Sequence, residues 1–418
     1  MLQVAGAVGA AGLAGCTSSL SGGGGGDSSP DTITIGLTRS TTGNFVFDSR
    51  KAFRGLTLWK RKVNDSGGLE INGEQKQVEL VSYDDRSSRQ RVTRLYETLI
   101  TEDDVDVLFA PFASILSSAA AAVANKHDKF LMIWGAGDTA IFNQGYQNIV
   151  SVDNVTRTLP LGQLEVMSQH GGETLALLNS TNPFFTAYAK RVEAIASDYG
   201  LEVVHQEGFD PGTTDFTSSL QKINGKDPDI FFPLSQVRAL INIVRQMKSN
   251  DIMFDWSHLP YATNPQFFDA LGEDAKYFFG WNNIHPEANR GVNRGLSTAD
   301  FFSEYRSLFG GNDPSFNSAN GYAAAVMIGE CMKQAGTQRD TEALISAARE
   351  MSGDVTVVNG DFEIHPEKHY QTSTHYFVTQ NQQVGGDTVY ENIEVLGPEG
   401  AVESTAEPMH PIPSWADR

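Results

Sequence analysis

From Ile33 onward, short apolar runs alternate with stretches in which apolar residues recur every three or four positions. The runs "ITIGL" (33–37), "VELVSY" (78–83), "VDVLFA" (105–110), "FLMIW" (130–134) and "NIVSV" (148–152) predict one series of strands. A second series follows: "TLALLN" (174–179), "EVVHQEGF" (202–209), "DIFFPL" (229–234) and "YFFGW" (277–281). Near-continuous apolarity suits parallel sheets buried on both faces. Between the runs lie amphipathic helices. Ala52, Leu56, Trp59 and Val63 share one face of 48–66, and Val237, Leu240, Ile241 and Val244 share one face of 236–248. This alternation predicts an α/β fold, and its two series predict two Rossmann-like lobes.

Open α/β sheets bind ligands beyond the carboxyl ends of their strands, so the residues following each run carry the functional information. After the first comes "TRSTTGNFVFD" (38–48), with Gly43 for a turn and Phe45 and Phe47 beyond it. Asp84 and Asp85 follow the second; adjacent side chains diverge, and such residues are common at helix caps. "PFAS" follows the third, and Ser114 begins a helix whose positive end suits a small carboxylate, or is a plain cap. "GAGD" follows the fourth: Gly135 and Gly137 permit close backbone approach, and Asp138 adds a carboxylate. The second series contributes Phe184 and Phe185, then Ser235 and Gln236, then Tyr261 in "SHLPYATNP".

Composition narrows the partners. The 418-residue chain is 40% hydrophobic and carries a formal charge of −20, which repels nucleic-acid phosphates and suits a protein kept soluble in high salt. No run of about twenty apolar residues predicts a membrane span. The two cysteines are Cys16 and Cys331. Cys331, in "YAAAVMIGECMKQAG", reads as a buried thiol on a helix. Cys16 ends "LAGC", which resembles the lipobox of bacterial and archaeal lipoproteins, where the signal is cut before a cysteine that then receives lipid. We expect residues 1–15 to be a signal-peptide remnant, 16–30 a Gly/Ser tether, and a basic or twin-arginine segment to lie upstream of Met1.

The segments "ITIGLTRSTTG", "VELVSYDD", "VDVLFAPFAS", "FLMIWGAGD", "PGTTDFTSSLQKINGKDPDIFF" and "YAAAVMIGECMKQAG" together resemble the solute-binding proteins of branched-chain amino acid ABC transporters, which are type I periplasmic binding proteins. The resemblance implies two Rossmann-like lobes joined by three crossover segments, expected near 152–155, 282–286 and 356–361. The first lobe would comprise 31–153 with 284–358, the second 154–283 with 359–395, and 396–418 a C-terminal tail. It further implies that Ser114 and the backbone of Ala113 hold a ligand carboxylate, and that the turn at Ala136, Gly137 and Asp138 meets both charged ends of the ligand. Phe184, Gln236 and Tyr261 would close over the ligand from the second lobe, with Phe45 on the first. Where the family usually has serine or threonine, Asp138 is expected to attract an ammonium. The expected function is capture of an amino acid or related solute by a monomer. The solute would be delivered to an ABC permease from the outer face of the cytoplasmic membrane, where lipidated Cys16 anchors the protein.

An enzyme is disfavoured. There is no G-x-S-x-G elbow, no H-E-x-x-H and no P-loop lysine, so neither a catalytic site nor a cofactor is expected. His365 and His369 share a metal-ligand spacing, but Pro366 suggests a turn, and surface histidines near a crossover are the expectation rather than a metal site. The alternative to transport is a ligand-sensing receptor using the same fold to regulate a signalling partner.

Overall fold

The computed structural model describes residues 32–373, 376–385, 387–395 and 405–418. Cys16, the signal-peptide remnant and the Gly/Ser tether lie outside the described residues.

The first lobe is built on β1 (Thr32–Arg39), α1 (Val46–Asp65), β2 (Leu69–Ile71), β3 (Glu74–Asp84), α2 (Arg89–Thr101), β4 (Val107–Phe109), α3 (Ser114–Lys126), β5 (Leu131–Ile133) and β6 (Ile149–Ser151). Its sheet runs β2-β3-β1-β4-β5-β6, parallel except for β2. Every residue of β4, β5 and β6 is buried, as their apolar sequences require. The second lobe follows with α4 (Leu161–Gln169), β7 (Thr174–Ser180), α5 (Pro183–Ile195), β8 (Glu202–Phe209), α6 (Thr217–Asn224), β9 (Ile230–Leu234), α7 (Val237–Ser249), β10 (Trp256–Ser257), α8 (Pro265–Leu271) and β11 (Phe279–Asn282). Here the parallel order is β10-β9-β7-β8, and β8 is a half-exposed edge rather than a strand covered on both faces.

The chain then returns to the first lobe with α9 (Thr298–Leu308), α10 (Phe316–Ala335), α11 (Thr341–Glu350) and the hairpin β12 (Val355–Val357) and β13 (Gly360–Phe362). It ends in the second lobe with β14 (Phe377–Val384) and β15 (Asp387–Val395), paired antiparallel to each other, with β14 against β11. Val355, Val357, Phe362 and Ile364 bury into the core formed by β1, α1 and α10. The third crossing therefore falls after Tyr370, downstream of the expected 356–361, because this unpredicted hairpin belongs to the first lobe. Residues 405–418 lie on the second lobe, where His410 stacks on Trp256 and the Trp415 indole N–H donates to the Ile252 carbonyl.

Helix α10 organises the centre. Its apolar residues pack on α1 at very close range: a Cβ on Gly321 would lie 2.4 Å from the Ala52 carbonyl oxygen, and one on Gly55 2.1 Å from that of Ser318. Where α10 passes the crossovers, the fully buried Asn320 ties them together. Its Nδ2 donates to Asp153 Oδ1 (2.9 Å), and its Oδ1 accepts from Asn283 (2.6 Å) and Asn359 (2.9 Å). Asn359 also donates to the Val152 carbonyl. One side chain thus joins residues from the first two passages between the lobes to the turn of the β12–β13 hairpin.

Candidate functional site

A cavity of about 640 Å³ lies between the lobes, bounded by the loops that follow β1, β4 and β5 on one side and β7, β8 and β9 on the other. This is the size range of small-molecule sites. It sits where each strand order reverses, between β1 and β4 and between β7 and β9, so successive loops splay apart and leave a crevice.

The β1–α1 loop is held by the two aspartates that end β3. Asp84 accepts from the backbone N–H groups of Thr41 and Arg86 and from the Thr42 hydroxyl. Burial pushes its pKa up, but these donors outweigh it and leave the group at about 2. Asp85, fully buried, accepts from Thr38, Ser40 and the Ser87 N–H. The Ser87 hydroxyl accepts from the Phe45 N–H and donates to the Thr42 carbonyl. The result presents Phe45, Phe47 and Asp48 to the cavity, with Phe45 edge-on to Phe112.

Seven of the residues expected at the site line this cavity: Phe45, Ala113, Ser114, Gly137, Phe184, Gln236 and Tyr261. The N–H of Ala113 donates to the Gly135 carbonyl, and Ser114 Oγ accepts from the Asp138 N–H at 3.1 Å. That geometry places Ala113 at φ +72°, ψ 143°, a conformation L-residues rarely adopt. The starts of α3, α5 and α7 all border the space; the first N–H groups of α3 and α7 have no intrahelical acceptor, whereas α5 opens on Pro183 and its Phe185 N–H donates to Asn182 Oδ1. Gly137 brings the lobes together: a Cβ there would lie 2.7 Å from the Phe184 ring and 2.9 Å from the Asn154 carbonyl oxygen.

Ala136 and Asp138 do not line the cavity. Ala136 packs into the core on the α3 side of the first sheet. The Asp138 carboxylate caps its own turn, Oδ1 accepting from the Ala140 N–H at 2.9 Å, and burial raises its pKa. The carboxylate expected to attract an ammonium therefore faces its own turn rather than the cavity.

Two other carboxylates do line the space. Asp48, on the first turn of α1, is 5% exposed and accepts from Asn317 Nδ2 at 2.8 Å. Asp153, in the first crossover, is 8% exposed, and its Oδ1 accepts from the Tyr376 hydroxyl (3.0 Å), Asn320 Nδ2 and the Asn154 N–H. Burial raises each pKa to about 7, against the opposing pull of these donors. Neither has a cationic side chain in ion-pair contact among the described residues. Arg89 and Arg238 stand exposed on opposite lobes at the mouth. Asn317 Oδ1 and Trp281 Nε1, both buried in the wall, have no hydrogen-bond partner among the described residues. Sequence reasoning passed over Asp48 because a first-turn acid reads as ordinary helix chemistry. It passed over Asp153, which directly follows the fifth strand, because that position reads as part of a crossover, and over Phe316, Asn317 and Tyr376 because the lobes' return paths bring them in from distant segments.

His365 and His369 hold no metal-ligand geometry, and among the described residues no group of three or more His, Cys, Asp or Glu could hold a metal. Their segment is a turn, and His369 is fully buried, not a surface residue. Its Nδ1 lies 3.1 Å from the Ile149 carbonyl, and its Nε2 accepts from Arg349. Cys331 is a buried free thiol on α10, its pKa raised by burial. No helix of the described residues is long and apolar enough to cross a membrane.

A leucine-binding protein from Thermotoga maritima superposes with a TM-score of 0.77 at 18% identity, covering 88% of this chain and 99% of that one. A solute-binding protein of an ABC transporter from Rhodopseudomonas palustris, solved with 3,4-dihydroxybenzoic acid, superposes at 0.73 with 21% identity, covering 90% and 99%. In sequence, the leucine-, isoleucine-, valine-, threonine- and alanine-binding protein of Pseudomonas aeruginosa is 23% identical over 196 residues, 46% of this chain and 51% of that protein. The chain thus spans about half the length of the curated relative it matches. The periplasmic binding protein family model matches residues 32–386, nearly the whole two-lobed body. With that match and the type I architecture described above, the chain belongs to the periplasmic binding protein family.

Proposed function

We propose that this protein captures a small solute between its two lobes and delivers it to the permease of an ABC transporter. The carrying observation is the cavity of about 640 Å³ walled by strand-end loops of both lobes. A ligand touching both walls stabilises the closed arrangement over the open one by its differential contacts, and closure is the signal a permease can read. The family is one of binding proteins, and the reading is accordingly not enzymatic. The relatives indicate amino acids or aromatic acids as the solute class. The starts of α3 and α7, with the Ser114 hydroxyl, suit a ligand carboxylate. Anchoring through Cys16, action as a monomer at the outer face of the cytoplasmic membrane, and an acidic surface adapted to high salt complete the proposal.

Thermal melting with a panel of amino acids and aromatic acids tests the capture reading. A ligand at a hundred times its Kd stabilises by about 2.7 kcal/mol, so at least one member should raise the melting temperature clearly. A panel in which no solute raises it at millimolar concentration overturns the reading.

A further inference from the structure

The part of the cavity away from its arginine-bearing mouth has a different chemistry from the helix ends. Asp48 and Asp153 are bound to Asn317 and Asn320, which are three residues apart on α10 and so share one face. Both carboxylates are buried, without an ion pair among the described residues, and both act on the hydroxyl of Tyr261, whose pKa they help burial to raise. Four aromatic residues of the same wall form a closed circuit of contacts. Tyr261 meets Phe316 (5.9 Å between centroids) and Trp281 (6.3 Å), and Tyr376 meets Trp281 (5.6 Å) and Phe316 (6.3 Å). An independent observation points to a missing donor. Asn317 lines the cavity at 1% exposure, its Nδ2 is spent on Asp48, and its Oδ1 accepts from no group among the described residues.

We propose that this region seats a cationic amine, held by the carboxylates of Asp48 and Asp153 and the carbonyl oxygen of Asn317, against the rings of Tyr261, Trp281, Phe316 and Tyr376. An ammonium supplies an N–H donor to Asn317 Oδ1, which lacks one among the described residues, and a positive charge to two buried carboxylates that have no cationic partner there. Aromatic faces add attraction within about 6 Å of a cation. The ligands are then amine-bearing solutes, and aromatic acids without an amine are poor ones. The inference rests on the reading of the cavity as the solute site and names what that site selects.

Calorimetry with three probes on the intact chain tests it: phenethylamine, its neutral counterpart 2-phenylethanol, and benzoate. The amine should bind at least tenfold more tightly than the alcohol or benzoate. Asp48→Asn and Asp153→Asn should each weaken the amine at least tenfold and change the alcohol less than twofold, which separates loss of the charge from loss of the fold. Should either variant fail to fold, the three-probe ranking on the wild-type protein still decides. Equal or tighter binding of the alcohol or benzoate overturns the cation seat while leaving solute capture intact. So does equal weakening of amine and alcohol in the variants. Failure of the amine to bind overturns the seat as well, and the amino-acid and aromatic-acid panel then judges capture separately.

Discussion

Asp48→Asn should make the ligand-free protein more stable, and more so at neutral than at acid pH. The carboxyl is 5% exposed, faces Asn317 at 2.8 Å and lies near Tyr261, while Lys51 one turn along α1 donates instead to the Asp313 carbonyl. Raising a carboxyl from its ordinary 3.8 to about 7 corresponds to roughly 4 kcal/mol of disfavoured ionisation. The folded value lies above the unfolded one. The associated stability is therefore fully present below the unfolded value and is lost as pH rises through the folded one. Between pH 4.5 and 7.5 the wild type loses about 3 kcal/mol that the amide variant keeps, since the amide carries no proton to lose. Urea unfolding of both ligand-free proteins at the two pH values measures this. All other titrating groups are common to both and cancel in the difference. The stability gap should favour the variant and widen by about 3 kcal/mol at the higher pH. A gap that stays constant, or favours the wild type at pH 7.5, refutes the argument that burial dominates this group.

Gly137→Ala should weaken ligand binding at least tenfold, measured by calorimetry, because the added methyl meets the Phe184 ring at 2.7 Å across the two lobes. Ala113→Gly should raise stability by about 1 kcal/mol in chemical denaturation, the relief of φ +72° outweighing glycine's entropic cost. Asn320→Ala should cost about 3 kcal/mol in the same measurement, since it strips a partner from Asp153, Asn283 and Asn359 at once.

Much of the architecture was legible from local pattern. All nine expected strands overlap strands in the structure, and the four expected helices are α1, α3, α7 and α10. The apolar runs were readable because parallel strands buried on both faces must be apolar throughout. The misses have a different physics. Strand β10 spans Trp256–Ser257 and hairpin β12–β13 has three residues per strand, too short for a periodicity to register. The β14 sequence "FVTQNQQV" is rich in amides that the fold uses: Asn381 donates to the carbonyls of Ala262 and Ala275. Locally such a run reads as a polar loop.

The candidate site divides the same way. Its rim was visible in the residues that directly follow strands, because the carboxyl edge of an α/β sheet is a property of chain order. Position in sequence placed Phe45, Ser114, Phe184 and Gln236 on that edge, and the structure brings them to one cavity. Which carboxylates enter the cavity was not visible. Asp138 is near the rim in sequence, yet its side chain closes on the Ala140 N–H two residues away. Asp48 and Asp153 face the cavity because α10, more than 160 residues further along, supplies Asn317 and Asn320 to hold them there. The places of the strands along the chain and of the loops that follow them come from local hydrophobic pattern, and the sequence by itself determined them. The charge inside the cleft depends on which distant amides and hydroxyls desolvate and orient each carboxyl, and that only the packed tertiary structure decided.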